Sequence, residues 1–156
     1  MTVYFIVKYL HVLGAIVILG TGTGIAFFML MAHLSRDAAF IARTAATVVI
    51  ADVLFTLSAV VLQPLSGGLL MALSAASLTE RWLMASLLLY AVAGLFWIPV
   101  VSCRSKCAIW LAPPWRMTSH CRRAIMSCFA AGACSAFPGF GSVMIILWLM
   151  IAKPVF

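Results

Sequence analysis

The chain opens with an apolar stretch of about thirty residues, at about 3–32, and this stretch constrains the fold more than any other feature. Three further apolar stretches follow, at about 40–62, 82–101 and 124–152. A helix that crosses a bilayer needs about 20 apolar residues, so each stretch is long enough to do so. We therefore expect an all-α integral membrane protein, a four-helix bundle with short connections.

The composition supports this class and leaves no room for a soluble domain. The chain has 156 residues, of which 66% are hydrophobic and only 8% are charged. Soluble domains have a much smaller apolar share and about three times as many charged residues. We therefore treat residues 1–156 as a single membrane domain, surrounded by the lipid bilayer.

Helix-breaking residues predict where the spans end. Leu34-Ser35-Arg36-Asp37 separates the first two stretches, Gln63-Pro64-Leu65-Ser66-Gly67-Gly68 ends the second, and Pro113-Pro114 lies between the third and fourth. The segment from Gly67 to Thr79 has about a dozen residues, which is too few to cross a membrane. We expect it to form a short extra interfacial helix between spans two and three.

The net charge of +7 would suit a nucleic-acid partner, but the basic residues follow the loops instead of forming one patch. One side of the predicted bundle has Arg36, Arg43, Arg104, Lys106, Arg116, Arg122 and Arg123, and the other has only Lys8, Arg81 and Lys153. Cytoplasmic loops are enriched in Lys and Arg, which predicts both termini outside, an N-out/C-out topology. We expect a multi-pass protein of the bacterial inner membrane, with no nucleic-acid partner.

A group of ionisable and polar residues is predicted to lie in the outer half of the bundle. His11 falls about 12 Å below the outer end of the first span, at 1.5 Å per residue. Asp52 falls about 15 Å below the outer end of the second, if that span ends near residue 62. Lys8 lies one turn above His11, while Arg81 and Gln63 mark the outer ends of their spans. The five groups could therefore gather at one site.

The roles of these groups stay open at the level of sequence. Charges within the membrane are expensive and usually functional, but they need a partner in either case. Asp52 is either a functional carboxylate or a structural one neutralised by Lys8 or Arg81. His11 is either a functional group or a histidine that is hydrogen-bonded within the bundle. Small residues beside both would admit a flat cofactor or a neighbouring helix.

The motif Gly20-Thr-Gly-Thr-Gly24 looks like a phosphate-binding loop, but its context excludes that function. A nucleotide-binding loop follows a strand and opens a helix at a solvent-exposed surface, whereas this motif lies inside an apolar span. Gly20 and Gly24 instead make a GxxxG pair, which predicts close approach of a neighbouring backbone.

Several stretches of the chain resemble a known family. They are KYLHVLGAI at 8–16, the glycine motif with FFMLMAHLSRD at 27–37, ADVLFTLSAVVLQPLSG at 51–67, RWLMASLLLYAVAGLFWIPVV at 81–101 and WLMIAKP at 148–154. Together they are similar to domain-of-unknown-function family 2269, bacterial integral membrane proteins with four predicted spans. This resemblance implies a topology and no activity.

A more distant resemblance concerns the bacterial membrane protoporphyrinogen oxidase, which contains b-type haem. It rests on the Lys-x-x-His pattern of Lys8 and His11, with His33 following 22 residues later. The resemblance implies that His11 is a haem-iron ligand. It also places Ser86 where that family has a functional lysine, which argues against oxidase activity but not against haem.

Three functional hypotheses follow. The first is an accessory or assembly subunit of a larger membrane complex or homo-oligomer, with Lys8, His11, Asp52, Gln63 and Arg81 as a polar network. In the second, the protein binds haem b, His11 ligates the iron, and Lys8 and Arg81 pair with the propionates. The third is a proton-coupled transporter that uses Asp52.

Overall fold

A computed structural model of the chain describes residues 2–74, 80–110 and 119–153, with side chains at 38, 103 and 106–135 excepted. Throughout these ranges the regular structure is helical. In chain order the helices are α1 (Thr2–Leu34), α2 (Ala38–Ala51), a π-helix (Asp52–Leu57), α3 (Ser58–Ser74), α4 (Arg81–Trp110) and α5 (Ser119–Ala152).

Three helical segments are long and apolar enough to cross a membrane: Thr2–Leu34, Ala39–Ser74 and Arg81–Ser102. Near the C-terminus, Ala136–Ala152 is a shorter apolar part of α5. The prediction of an all-helical protein with membrane-crossing helices is therefore confirmed. The fourth span and the N-out/C-out orientation stay predictions.

The connection between α1 and α2 is a tight turn made by three residues. Arg36 has a φ of 56°, in the left-handed region that commonly ends a helix, and its N–H donates to the carbonyl of His33. Asp37 then caps α2, because its side chain accepts the N–H of Ala39 at 2.9 Å. This turn makes the two helices antiparallel neighbours.

The second long helix does not end where the sequence predicted. α2, the π-helix and α3 follow one another without a break from 38 to 74, and Pro64 lies inside α3. The predicted end near residue 62 is therefore wrong. The predicted interfacial helix is wrong as well, because residues 67–74 continue α3; residues 75–79 lie outside the described part of the chain.

A tyrosine on α4 accounts for the continuation of the helix through proline. Proline has no N–H, so Pro64 leaves the carbonyl of Val60, four residues earlier, without its helical donor. The hydroxyl of Tyr90 donates to this carbonyl at 2.5 Å. Within a bilayer such a carbonyl needs a protein partner, and Tyr90 supplies it from the neighbouring helix.

The π-helix at Asp52–Leu57 separates two halves of the second helix that pack differently. α2 packs against both α1 and α4, whereas α3 packs chiefly against α1. The most extensive contact in the fold is between α4 and α5. Beyond the π-helix, the second helix therefore makes most of its contacts with α1.

The apolar core is small and lies between α1 and α2. Ile25 and Met29 of α1 pack with Ala45 and Val48 of α2. Most other large apolar side chains face outward, as expected of a protein whose solvent on that side is lipid. Contacts between polar groups therefore stand out as specific links between the helices.

The glycine motif of α1 makes no close packing contact with the described part of the chain. A Cβ atom built on Gly20, Gly22 or Gly24 would meet no heavy atom within 4 Å. The prediction that a neighbouring backbone approaches Gly20 and Gly24 is therefore wrong for the described part of the chain.

Candidate functional site

An ion pair inside the bundle joins the second helix to α4. The Asp52 carboxylate Oδ2 lies 2.7 Å from the Arg104 guanidinium Nη1, a hydrogen-bonded contact. Asp52 is only 2% exposed, and the Arg104 side chain is 15% exposed. A buried carboxylate without such a partner would be strongly unfavourable, so Arg104 is what makes the charge tolerable here.

The predicted depth of Asp52 is wrong because the second helix is longer than expected. Ser74, where the helix ends, is 22 residues after Asp52, about 33 Å at 1.5 Å per residue. Ala38, where it begins, is 14 residues before it, about 21 Å. Asp52 is therefore nearer the end of the bundle that carries the turn at Arg36.

The partner of Asp52 also differs from the expectation. It is Arg104 and not Lys8 or Arg81. The Lys8 ammonium lies 5.8 Å from the ring centroid of Tyr4, toward the start of α1, and Arg81 is exposed at the start of α4. The sequence reasoning missed Arg104 because it assigned this residue to a loop, whereas α4 extends to Trp110.

Thr56, one turn after Asp52, has a buried hydroxyl that differs from the many hydroxyls that bond to their own helix. Hydroxyls that donate to the carbonyl four residues earlier are those of Thr23, Thr47, Ser58, Ser66, Ser74, Ser86, Ser102, Ser105 and Ser142. Thr56 lies in the π-helix, is 5% exposed, and its Oγ1 has no hydrogen-bond partner among the described residues. A buried hydroxyl without a partner is costly and calls for an explanation.

A second polar contact joins α1 to α3. The ring Nδ1 of His11 lies 2.8 Å from the hydroxyl of Ser66. That hydroxyl is itself 2.7 Å from the carbonyl of Leu62, to which it donates its only proton. We therefore assign the proton of the shared bond to His11 Nδ1, which leaves the lone pair on Nε2.

Glycine allows the imidazole of His11 to lie against α3. A Cβ built on Gly67 would come within 3.4 Å of His11 Cε1. One turn further along α1, a Cβ on Gly14 would lie 3.5 Å from Cδ of Gln63. Gln63 is thus inside the helical interface and not at a helix end, and its Oε1 is buried without a partner in the described ranges.

The predicted cluster of five groups divides into two separate contacts. His11 lies with Ser66 and Gln63, whereas Asp52 lies with Arg104. Fourteen residues separate Asp52 from Ser66 on the same helix, about 20 Å. Lys8 and Arg81 belong to neither contact.

The other residues singled out by sequence lie elsewhere. His33 is half-buried in the last turn of α1, and Ser86 is buried and donates to the carbonyl of Trp82. The chain has a third histidine, His120, whose side chain is outside the described part of the chain. Among the residues that the structure does describe, no three His, Cys, Asp or Glu side chains are placed to hold a metal ion.

Comparison with known proteins yields one match. The family model described as "Predicted integral membrane protein (DUF2269)" matches residues 5–154 of the chain. No curated protein and no solved structure matches it. The resemblance to this family is confirmed, and no match supports the more distant resemblance to a haem protein.

Proposed function

Since the chain belongs to the DUF2269 family of predicted integral membrane proteins, whose description names no activity, we propose that it acts as a non-catalytic membrane subunit. In this role it is an accessory or assembly component of a larger complex in the bacterial inner membrane. Its polar contacts between helices, at Asp52 and at His11, hold the helices in one arrangement.

One observation carries this proposal: the buried polar groups pair with each other across helices at two separate places. An active site brings a nucleophile, a base or an oxyanion-stabilising group together around one reacting atom. Here Asp52 is engaged by Arg104, and His11 is engaged by Ser66, about 20 Å away along the helix. Paired groups of this kind link helices where lipid gives no hydrophobic driving force.

The test is the behaviour of the chain in its native membrane. With a small tag at native expression level, extraction in a mild detergent should give a complex well above the 16.8 kDa of the single chain. A stoichiometric partner should be depleted from the membrane when this chain is deleted. Two differently tagged copies would distinguish a homo-oligomer from a mixed complex. Migration of the chain alone, with no other membrane protein changed by its deletion, would overturn the proposal.

A second candidate function, haem b binding, is favoured by the orientation of His11. Because Ser66 accepts a hydrogen bond from Nδ1–H, Nε2 carries the lone pair that an iron ligand requires, and an oriented second nitrogen is typical of metal-binding histidines. Haem would supply reversible one-electron chemistry when bound. His11 would hold its iron, and Lys8 and Arg81, nearer the ends of their helices, would pair with its propionates.

A visible spectrum of the purified protein tests this candidate. Haem binding predicts a Soret band that is lost in His11→Ala and retained in His33→Ala. Ser66→Ala should keep the band but shift it on reduction, because the ligand loses its orienting partner. Colourless, folded protein from haem-replete cells would exclude haem and leave the accessory role untouched.

A further inference from the structure

We propose that Asp52 and Thr56 form a membrane-embedded site that holds one water molecule and takes up one proton, with Arg104 as a counter-ion released on protonation. This goes beyond the accessory role, because it gives the protein a ligand, the proton, and a contact between helices that responds to it. The site lies at the π-helix, Asp52–Leu57.

The first argument is the unpartnered hydroxyl of Thr56. A buried polar group without a protein partner is commonly satisfied by an internal water molecule. The hydroxyl of Thr56 is 5% exposed and makes no bond to the described residues, although serines and threonines elsewhere in these helices bond to their own backbone. Thr56 therefore has an unused donor, and a water molecule is the smallest ligand that can use it.

The second argument is the carboxylate one turn away. Asp52 uses Oδ2 for Arg104, while Oδ1 makes no hydrogen bond within the described part of the chain. A carboxylate oxygen accepts, and the Thr56 hydroxyl both donates and accepts. A water molecule between them would have two polar partners from the protein, the minimum for an internal water.

The third argument is the local backbone. π-helical turns inside α-helices are rare and frequently mark functional sites. This one begins at the only charged residue of the second helix beyond Arg43, and it contains no glycine or proline that would explain it. Its backbone bonds are also irregular, since the N–H of Asp52 is shared between the carbonyls of Val48 and Val49.

Among the described side chains, Arg104 is the sole charged group near Asp52. The π-helix adjoins α2 and α3 within one continuous helix, packs against α1, and meets α4 at Arg104; the side chain of Lys106 on α4 lies outside the described part of the chain. α3 has no charged residue, Arg43 of α2 is exposed and nine residues away, and the titratable groups of α1 lie near its two ends: Lys8, His11 and His33. Arg104 is therefore the charged side chain that faces Asp52 among those the structure describes.

The uptake step balances without any further reactant. Hydronium, arriving through the water at Thr56, transfers one proton to Oδ1 of Asp52 and is left as water. The carboxylate becomes a neutral acid, and Arg104 loses its ionic partner. Arg104 lies two residues beyond the apolar segment Arg81–Ser102, so its long side chain can turn toward lipid headgroups. The link between the second helix and α4 is then weakened at low pH.

Infrared difference spectroscopy on the full chain in lipid nanodiscs tests this site. Asp37→Asn leaves Asp52 as the sole aspartate, since the chain has three acidic residues and the third is Glu80. Asparagine also caps helices well, so this background should fold normally. With carbon-13 in the aspartate carboxyl, lowering the pH should produce an isotope-shifted band of a protonated acid.

Three variants in this background distinguish the parts of the proposal. Arg104→Gln should move the midpoint of the band by about 1–3 pH units to higher pH, because a cation that favours the carboxylate is lost. Thr56→Val is isosteric, should fold, and should abolish a water O–H band that shifts in heavy-oxygen water. Thr47→Val, at an exposed and self-bonded threonine, is the control and should retain that band. Absence of a protonated band in folded protein, or a water band unchanged in Thr56→Val, would overturn the proposal.

Discussion

Arg104 donates to Asp52 across the interface between α4 and the second helix, at a point where that helix changes from α to π geometry. The pair thus marks the boundary between the half of the second helix that contacts α4 and the half that packs chiefly on α1. Loss of the pair would remove the ionic link at this boundary.

Removal of Arg104 should destabilise the protein more than removal of both members of the pair. Arg104→Gln leaves the Asp52 carboxylate buried without a partner, which costs about 3 kcal/mol of unfolding free energy. Adding Asp52→Asn should recover at least 1 kcal/mol of that loss, roughly the coupling expected for contacting residues. Unfolding in mixed micelles measures both variants, and Arg81→Gln is the exposed control. Additive effects would show that the two groups are not coupled.

The bond from Tyr90 to Val60 should matter only because residue 64 is proline. Tyr90→Phe leaves the carbonyl of Val60 unsatisfied, which we expect to cost about 1–3 kcal/mol. Pro64→Ala restores the missing N–H, so Tyr90→Phe should cost less than half as much in that background. The four proteins of this cycle can be compared by the same unfolding assay. An equal cost in both backgrounds would contradict the explanation given for the unbroken helix.

Two adjacent glycines in α3 provide a matched test of the contact at His11. Gly67→Val would push a branched side chain into the imidazole ring, whereas Gly68→Val meets open space. Both changes alter helix propensity equally, so the difference in stability between the two variants reports the crowding of His11. We expect Gly67→Val to be less stable by about 1–3 kcal/mol, the usual cost of overpacking.

A second readout follows the histidine itself. Nitrogen-15 spectra should show that Nδ1 of His11 loses its hydrogen bond to Ser66 in Gly67→Val and keeps it in Gly68→Val. If the two variants have equal stability and equal spectra, His11 does not depend on the gap at Gly67.

The sequence predicts the class of this protein well and its polar contacts poorly, for identifiable reasons. The lengths of the apolar stretches predict the helices, because the thickness of a bilayer sets the length of an apolar helix that crosses it. The end of the second helix was misplaced because Pro64 is usually a breaker, and its rescue by Tyr90, 26 residues later, is a tertiary contact. That error displaced Asp52 toward Lys8 and Arg81.

His11 and Ser66 show the same limit. The position of His11 in the first apolar run predicts that it lies within α1, where the structure has it. The partner of His11 was not predicted, because Ser66 lay in a segment interpreted as a loop. The pairing of side chains on two helices depends on how the helices are placed along each other. Only the packing of the helices determines that placement.

The glycines of α1 give the last prediction. Because a Cβ on Gly20 or Gly24 meets no atom of the described chain, alanine at either position should gain helix propensity at no steric cost. We expect each substitution to stabilise the isolated protein by about 0.5–1 kcal/mol in the mixed-micelle assay. Gly14→Ala is the comparison, since its Cβ would lie 3.5 Å from Cδ of Gln63, an ordinary packing contact, and it should gain at least as much. Loss of stability in Gly20→Ala or Gly24→Ala would contradict the open space beside α1.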